Sequence, residues 1–135
     1  MPEAKGTVSN RVSPAVEFIG NRAEGLERAK TEKKPALLFF AIPDNISSQK
    51  MLDTAFCDTE VIKLAQSFIC IKIDGVAESD YCESLGISGF PTVVLATSSG
   101  SEIQRLTGKQ SPGQLVTQMY VVLQTVALRQ NPPVR

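Results

Sequence analysis

The feature that most limits the fold is a short apolar run caught between two prolines. Pro35 and Pro43 bracket Ala36-Leu37-Leu38-Phe39-Phe40-Ala41-Ile42, the longest apolar stretch in the chain. A strand with one wet face would alternate, whereas this run carries apolar side chains on both sides of the pleat and has to be covered above and below. It is far too short to cross a bilayer. A second run, Phe68-Ile69-Cys70-Ile71-Lys72-Ile73, stops at Asp74-Gly75. Between the two lie Met51, Leu52, Ala55 and Phe56 at one-turn spacing, then an Asp58 cap followed by Val61, Ile62, Leu64 and Ala65. Strand, helix and strand in that order form a crossover. The two buried strands should therefore be parallel neighbours joined in the right-handed sense.

The flanking segments complete an α/β pattern. Val16-Glu17-Phe18-Ile19 alternates and predicts a short edge strand. Asn21, with Glu24 at the reciprocal capping-box position, opens a helix with a thin stripe of Ala23, Leu26 and Ala29. Lys30, Lys33 and Lys34 suit its negative end, and Pro35 stops it. Beyond the second buried strand, Ser79 to Leu85 predicts a short helix with Tyr81 and Leu85 on one face and Gly86 as its stop. Thr92 to Leu95 predicts a strand that turns through Thr97-Ser98-Ser99-Gly100 into Glu102 to Leu106, an antiparallel hairpin. Ser111 as cap and Pro112 at the first position open the last helix. Its buried stripe is Leu115, Met119, Val122 or Leu123, and Val126, and Asn131-Pro132-Pro133 ends it. Residues 1–14, small and polar with Pro2, Gly6 and Pro14, read as a flexible arm. Residues 15–130 form one domain and residues 131–135 a tail.

Composition narrows the chemistry. At 135 residues the chain suits a single domain. Its 14 Lys and Arg balance 14 Asp and Glu, so no net field draws it to nucleic acid or anionic lipid. Neither a nucleic-acid partner nor membrane insertion is expected. There is no His, which removes the commonest general base and His-containing metal sites. No catalytic residue, metal or cofactor is predicted. The three cysteines, Cys57, Cys70 and Cys82, are odd in number and far apart, so they spell neither a disulfide framework nor a Cys-x-x-Cys pair. Met1-Pro2-Glu3-Ala4-Lys5 lacks an apolar h-region, so no signal peptide is expected in this sequence. The compartment stays open: cytoplasmic, or periplasmic or secreted with a signal already removed. The sequence carries no signal for oligomeric state.

The order of elements, with Gly89-Phe90-Pro91-Thr92 directly before a strand, resembles the thioredoxin fold. Four segments in sequence carry the likeness: Lys50-Met51 to Val61, Phe68 to Asp74, Gly86 to Thr92, and Gly100 to Gly108. Over roughly residues 16 to 127 they are similar to the thioredoxin domains of bacterial disulfide-reducing proteins. The resemblance implies a three-layer α/β/α domain with a mixed central sheet, a parallel βαβ half joined to an antiparallel hairpin half. It also implies a cis peptide at Pro91, whose preceding backbone pairs in the family with an extended substrate.

The departure from the family is chemical. Counting back from Met51 and Phe56, the family's Cys-x-x-Cys falls on Asn45-Ile46-Ser47-Ser48, and the aromatic before it on Asp44. Thiol–disulfide exchange needs an attacking thiolate and a second thiol to resolve the mixed disulfide, and Asn and Ser supply neither. No Cys precedes residue 57, so a slipped alignment does not restore the pair. Asn45 and Ser48 are read as helix-cap residues, or as the start of a helix that keeps the family's groove and binds there. Ser47-Ser48-Gln49-Lys50 also spells Ser-x-x-Lys, but the accompanying Ser-Asp-Asn and Lys-Thr-Gly of serine enzymes are missing. Phe90 either packs inside or offers an apolar contact to a ligand. Cys57 sits beside the Asp58 cap and Cys82 between Asp80 and Glu83, and both stand as candidate reactive thiols, with Cys70 an inert core thiol.

The expectation is a redox-inactive thioredoxin-fold module that binds a protein or extended peptide. Its groove would be made by Asn45, Ile46, Ser47, Ser48, Phe90 and Pro91. Two alternatives differ in class. One is a thiol–disulfide oxidoreductase that uses a non-family cysteine. The other is the thioredoxin-like domain of a ubiquitin-system adaptor, which Ser48-Gln49-Lys50-Met51 and Phe68 to Asp74 resemble.

Overall fold

The computed structural model describes residues 14–130. The arm expected over residues 1–14 and the tail over 131–135, with the Asn131-Pro132-Pro133 stop, lie outside them except for Pro14. Ten elements follow one another, counting a 3₁₀ turn at Ala55–Cys57. The helices are α1 (Arg22–Glu32), α2 (Ile46–Asp53), α3 (Thr59–Ala65), α4 (Ser79–Ser84) and α5 (Pro112–Gln130). The strands are β1 (Ala36–Ala41), β2 (Ile69–Asp74), β3 (Thr92–Ala96) and β4 (Glu102–Thr107). They form one sheet in the order β2-β1-β3-β4. β1 and β2 run parallel from Ala36↔Ile69 to Ala41↔Asp74, and β1 is antiparallel to β3. The β3–β4 hairpin is antiparallel, with an irregularity at Leu95/Ala96. The mixed α/β architecture read from the sequence is therefore present.

The proline-bracketed run behaves as its pattern requires. All six residues of β1 are buried, and they alternate between two cores. Leu37, Phe39 and Ala41 face α2, α3 and α5, packing with Met51, Val61, Leu115 and Met119. Ala36, Leu38 and Phe40 face α1 and α4, packing with Ala29, Ile71, Cys82 and Ile87. Helices thus cover both faces, because a strand apolar on both sides is stable only as the middle layer.

Caps fall where short polar side chains precede apolar stripes. The Asn21 side chain accepts from the Glu24 amide at 2.9 Å, and Lys33 ends α1 at φ 58. Asp58 accepts from Glu60 and Val61 at the start of α3. Ser111 and Gln114 exchange two bonds, Gln114 N–H to Ser111 Oγ at 3.2 Å and Ser111 N–H to Gln114 Oε1 at 2.8 Å. Arg105 ties the hairpin to the end of α4, donating to the Leu85 carbonyl at 2.7 Å and to Glu102 at 2.8 Å.

Three expectations need correction. The edge strand over Val16–Ile19 shrinks to one parallel bridge, Ile19↔Ile71. Ile19 donates to Cys70 and accepts from Lys72, but the Val16 amide turns to the Phe56 carbonyl. The helix expected through Met51, Leu52, Ala55 and Phe56 breaks at Thr54, where φ is −120 and ψ −76, and Ala55 and Phe56 continue as a 3₁₀ turn. The Thr54 hydroxyl donates to the Lys50 carbonyl at 2.6 Å beside the Thr54 amide at 2.9 Å, a back-bond of the kind that bends helices. Finally, β2 is not buried throughout: Lys72 and Asp74 are exposed, since no helix covers the end of the edge strand there. Among the described residues no helix is long and apolar enough to cross a membrane.

Candidate functional site

The site is built where β1 hands the chain to α2. Asp44 adopts φ 60 and Asn45 is extended, so the chain turns sharply after Pro43 and enters the helix. The Asn45 side chain accepts from the Ser48 amide at 2.7 Å, and the Asn45 carbonyl from Gln49. Asn45 is therefore the N-cap, as its residue type predicts. Ser48 takes no part in capping through its side chain. It is 3% exposed, and its Oγ has no hydrogen-bond partner among the described residues. A buried hydroxyl without a partner costs free energy and calls for an explanation.

The opposite half of the expected groove is the Gly89–Thr92 loop. The Phe90–Pro91 peptide is cis. The Thr92 hydroxyl donates to the Gly89 carbonyl at 2.7 Å, and the Pro91 carbonyl accepts from Gly108 at 2.8 Å. Pro91 is buried, and Phe90 is half-buried against the α1/α4 core. The ring of Phe90 lies over Gly75: a Cβ on Gly75 would stand 2.4 Å from Phe90 Cε1 and 2.9 Å from Ile42 Cγ2. Glycine is needed here because a ring crosses the backbone.

Two cavities open on either side of that contact. The larger, about 520 Å³, is lined by Ile42, Asn45, Ile46, Ser48, Lys72, Asp74 and their neighbours. The other, about 480 Å³, is lined by Gly75, Ser79, Cys82, Glu83, Phe90 and the Gly86–Ser88 turn. Asn45, Ile46 and Ser48 thus share one cavity, Phe90 belongs to the other, and Ser47 and Pro91 line neither. Ile42 and Gly75 stand between them. Sequence reading passed over Ile42, Gly75 and Lys72. Only Lys72 left a mark, as the one charge inside an otherwise apolar strand.

The cysteines are all free. Cys57 is exposed at the end of the 3₁₀ turn, its thiol 3.2 Å from the Leu52 carbonyl. Cys70 and Cys82 pack into opposite cores, so the sheet separates them. Burial pushes the Cys70 thiol up to about 12. Cys82 is raised by burial first, then by Glu78 and Asp74, rather than by its chain neighbours Asp80 and Glu83. Raised thiols are poor nucleophiles at neutral pH. DTNB should therefore label one thiol, Cys57, in the native protein and three after denaturation; fast labelling of two native thiols would contradict this placement.

Cys70 also sets an alkaline limit. The native thiol holds its proton to about pH 12, while an unfolded one releases it near the ordinary 9.0. Between those values the unfolded chain binds fewer protons than the native one, so stability falls as pH rises, by up to about 1.4 kcal/mol per unit. Urea unfolding of wild type and Cys70→Ala at pH 8 and 10.5 measures this. The stability gap between them should narrow at the higher pH; a gap that does not change would rule out the linkage.

The sequence pattern of the thioredoxin-like domain matches residues 23–120. This chain belongs to the thioredoxin-like family. Solved structures agree on the fold of this thioredoxin-like domain. A thioredoxin from Thermus thermophilus superposes with a TM-score of 0.75 at 15% identity, covering 87% of this chain and 94% of that one. The DsbH oxidoreductase gives 0.71 at 20% identity, covering 84% and 88%. A poplar thioredoxin h gives 0.67 at 20% identity, covering 81% and 96%. At such identities the likeness establishes the fold alone. No curated protein matches the chain by sequence.

Proposed function

We propose that this thioredoxin-like domain is a redox-inactive binding module that holds an extended peptide or partner loop across the start of α2 and the Phe90–Pro91 loop. One observation carries the reading. The positions where the fold would hold its sulfurs are Asn45, which caps the helix, and Ser48, whose hydroxyl is buried without a partner. Neither can attack a disulfide. The Phe90 loop, which lines the neighbouring cavity, supports the reading too. The backbone N–H and C=O of Phe90 find no partner among the described residues, leaving them to pair with an added strand. Titrating a pooled random peptide library into labelled protein, with amide shifts as readout, tests the proposal. Shifts clustered at Ser48 and Phe90 are expected; no shift at either would remove it.

The exposure of Cys57 supports a second reading, one-cysteine exchange with an external thiol. It lacks a resolving partner, because Cys70 and Cys82 are buried. Insulin reduction by wild type but not by a triple Cys→Ser variant would favour it.

A further inference from the structure

We propose that the outer face of α5 pairs two copies of this chain about a two-fold axis, independently of the peptide groove. Among the described residues five large apolar side chains are left exposed. Three of them, Tyr120, Val121 and Leu128, lie on this one helix at 47%, 48% and 58% exposure. With Gln124 and Ala127, both exposed, they form a stripe at one-turn spacing, turned away from the buried Leu115, Met119 and Val122. None of the five stripe residues lines either cavity beside Gly75.

A helix that faces water is ordinarily kept wet by charge. α1 shows this, with six of its eleven residues charged. α5 carries one charge, Arg129, in nineteen residues. Depletion of charge around an exposed tyrosine is the compositional mark of an interface core, not of a solvated surface.

The occupant follows from complementarity. Two α5 helices crossing antiparallel about an axis at Gln124 set Tyr120 and Val121 of one copy against Leu128 and Ala127 of the other, because each pair lies equally far from the axis. The Gln124 side chains meet on the axis, where each amide N–H faces the other's oxygen. Arg129 comes within reach of Tyr120 and Glu60 of the second copy. Tyr120 already donates its hydroxyl to Glu60 at 3.0 Å, so an aromatic face and a carboxylate are held side by side, both attractive to a guanidinium. Neither Arg129 nor Glu60 has an ion pair among the described residues. Apolar meets apolar, amide meets amide and cation meets carboxylate, as an isologous contact requires. The stripe from Tyr120 to Leu128 is only about 13 Å long. That is too little to build the roughly 800 Å² per partner of a standard interface, so the dissociation constant is expected on the order of 100 µM.

Sedimentation equilibrium of the full chain between about 10 µM and about 1 mM tests the pairing. The average mass should climb over that range from the monomer's towards twice the monomer's. Val121→Glu and Leu128→Glu should each leave the chain monomeric throughout, with Tm within about 4 °C of wild type because both positions are exposed. Arg129→Glu should weaken the dimer about three- to tenfold, and Glu60→Arg added to it should recover most of that loss, since the opposite charges are then exchanged across the axis. A wild type that stays monomeric at about 1 mM would overturn the proposal. A dimer that survives both glutamate variants would also overturn it, by placing the contact on another face. A double variant that regains nothing would overturn the two-fold arrangement.

Discussion

Replacing Phe39 with Ala is expected to lower the unfolding free energy by about 3–5 kcal/mol and Tm by roughly 10–20 °C. Phe39 is 0% exposed in the strand at the centre of the domain. Its ring meets Phe56 at 4.8 Å between centroids and Phe18 at 5.7 Å, and Phe18 meets Phe56 edge-on at 5.0 Å. The three rings fasten the segment before α1, the middle of β1 and the 3₁₀ turn after α2. β1 is paired on both sides, so its backbone cannot sink into the space a lost ring would leave. Ile46→Ala, at a 73% exposed position, should stay within about 0.5 kcal/mol of wild type. Chemical denaturation of both variants decides the matter. A Phe39→Ala loss below about 1.5 kcal/mol would mean the site collapses easily and the ring cluster does not hold the segments together.

Placing cysteines at both positions of the helix start is expected to give the domain dithiol exchange activity. In Asn45→Cys/Ser48→Cys the first thiol would replace the N-cap and the second the orphaned hydroxyl, on a helix start that lowers a thiol's pKa. Mass spectrometry after mild oxidation should show an intramolecular disulfide between residues 45 and 48, and the variant should reduce insulin at least about tenfold faster than wild type. Loss of the Asn45 cap should cost about 1 kcal/mol. Wild-type turnover equal to the variant's would defeat the reading that Asn45 and Ser48 are what withholds dithiol chemistry from this chain. A variant that folds and never closes the disulfide would show that the bend after Pro43 no longer positions the pair.

Much of this was written in local pattern. The two buried strands, the crossover between them, the hairpin and the caps at Asn21, Asn45, Asp58 and Ser111 each follow from a few neighbouring residues, because burial periodicity and capping are short-range demands. Other features were illegible for a physical reason. Val16 to Ile19 alternates like a strand, yet only Ile19 reaches β2, since the Val16 amide is taken by Phe56, forty residues away in the chain. Thr54 looks tolerable inside a helix, yet its hydroxyl bonds back to the Lys50 carbonyl beside its own amide and the helix ends there. Cys82 feels Glu78 and Asp74 across a turn, while its acidic chain neighbours do not set its titration.

By itself the sequence determined the layered α/β architecture and the absence of sulfur at residues 45 and 48. Both depend on residue identity at fixed spacing, and no folding event can alter either. Only the tertiary structure decided that Phe90 crosses Gly75, that the helix start and the proline loop open into separate cavities, and that the Ser48 hydroxyl is left alone beside Lys72. Those relations join residues fifteen or more positions apart, and they arise from how close two layers approach, a distance that no run of neighbouring residues encodes.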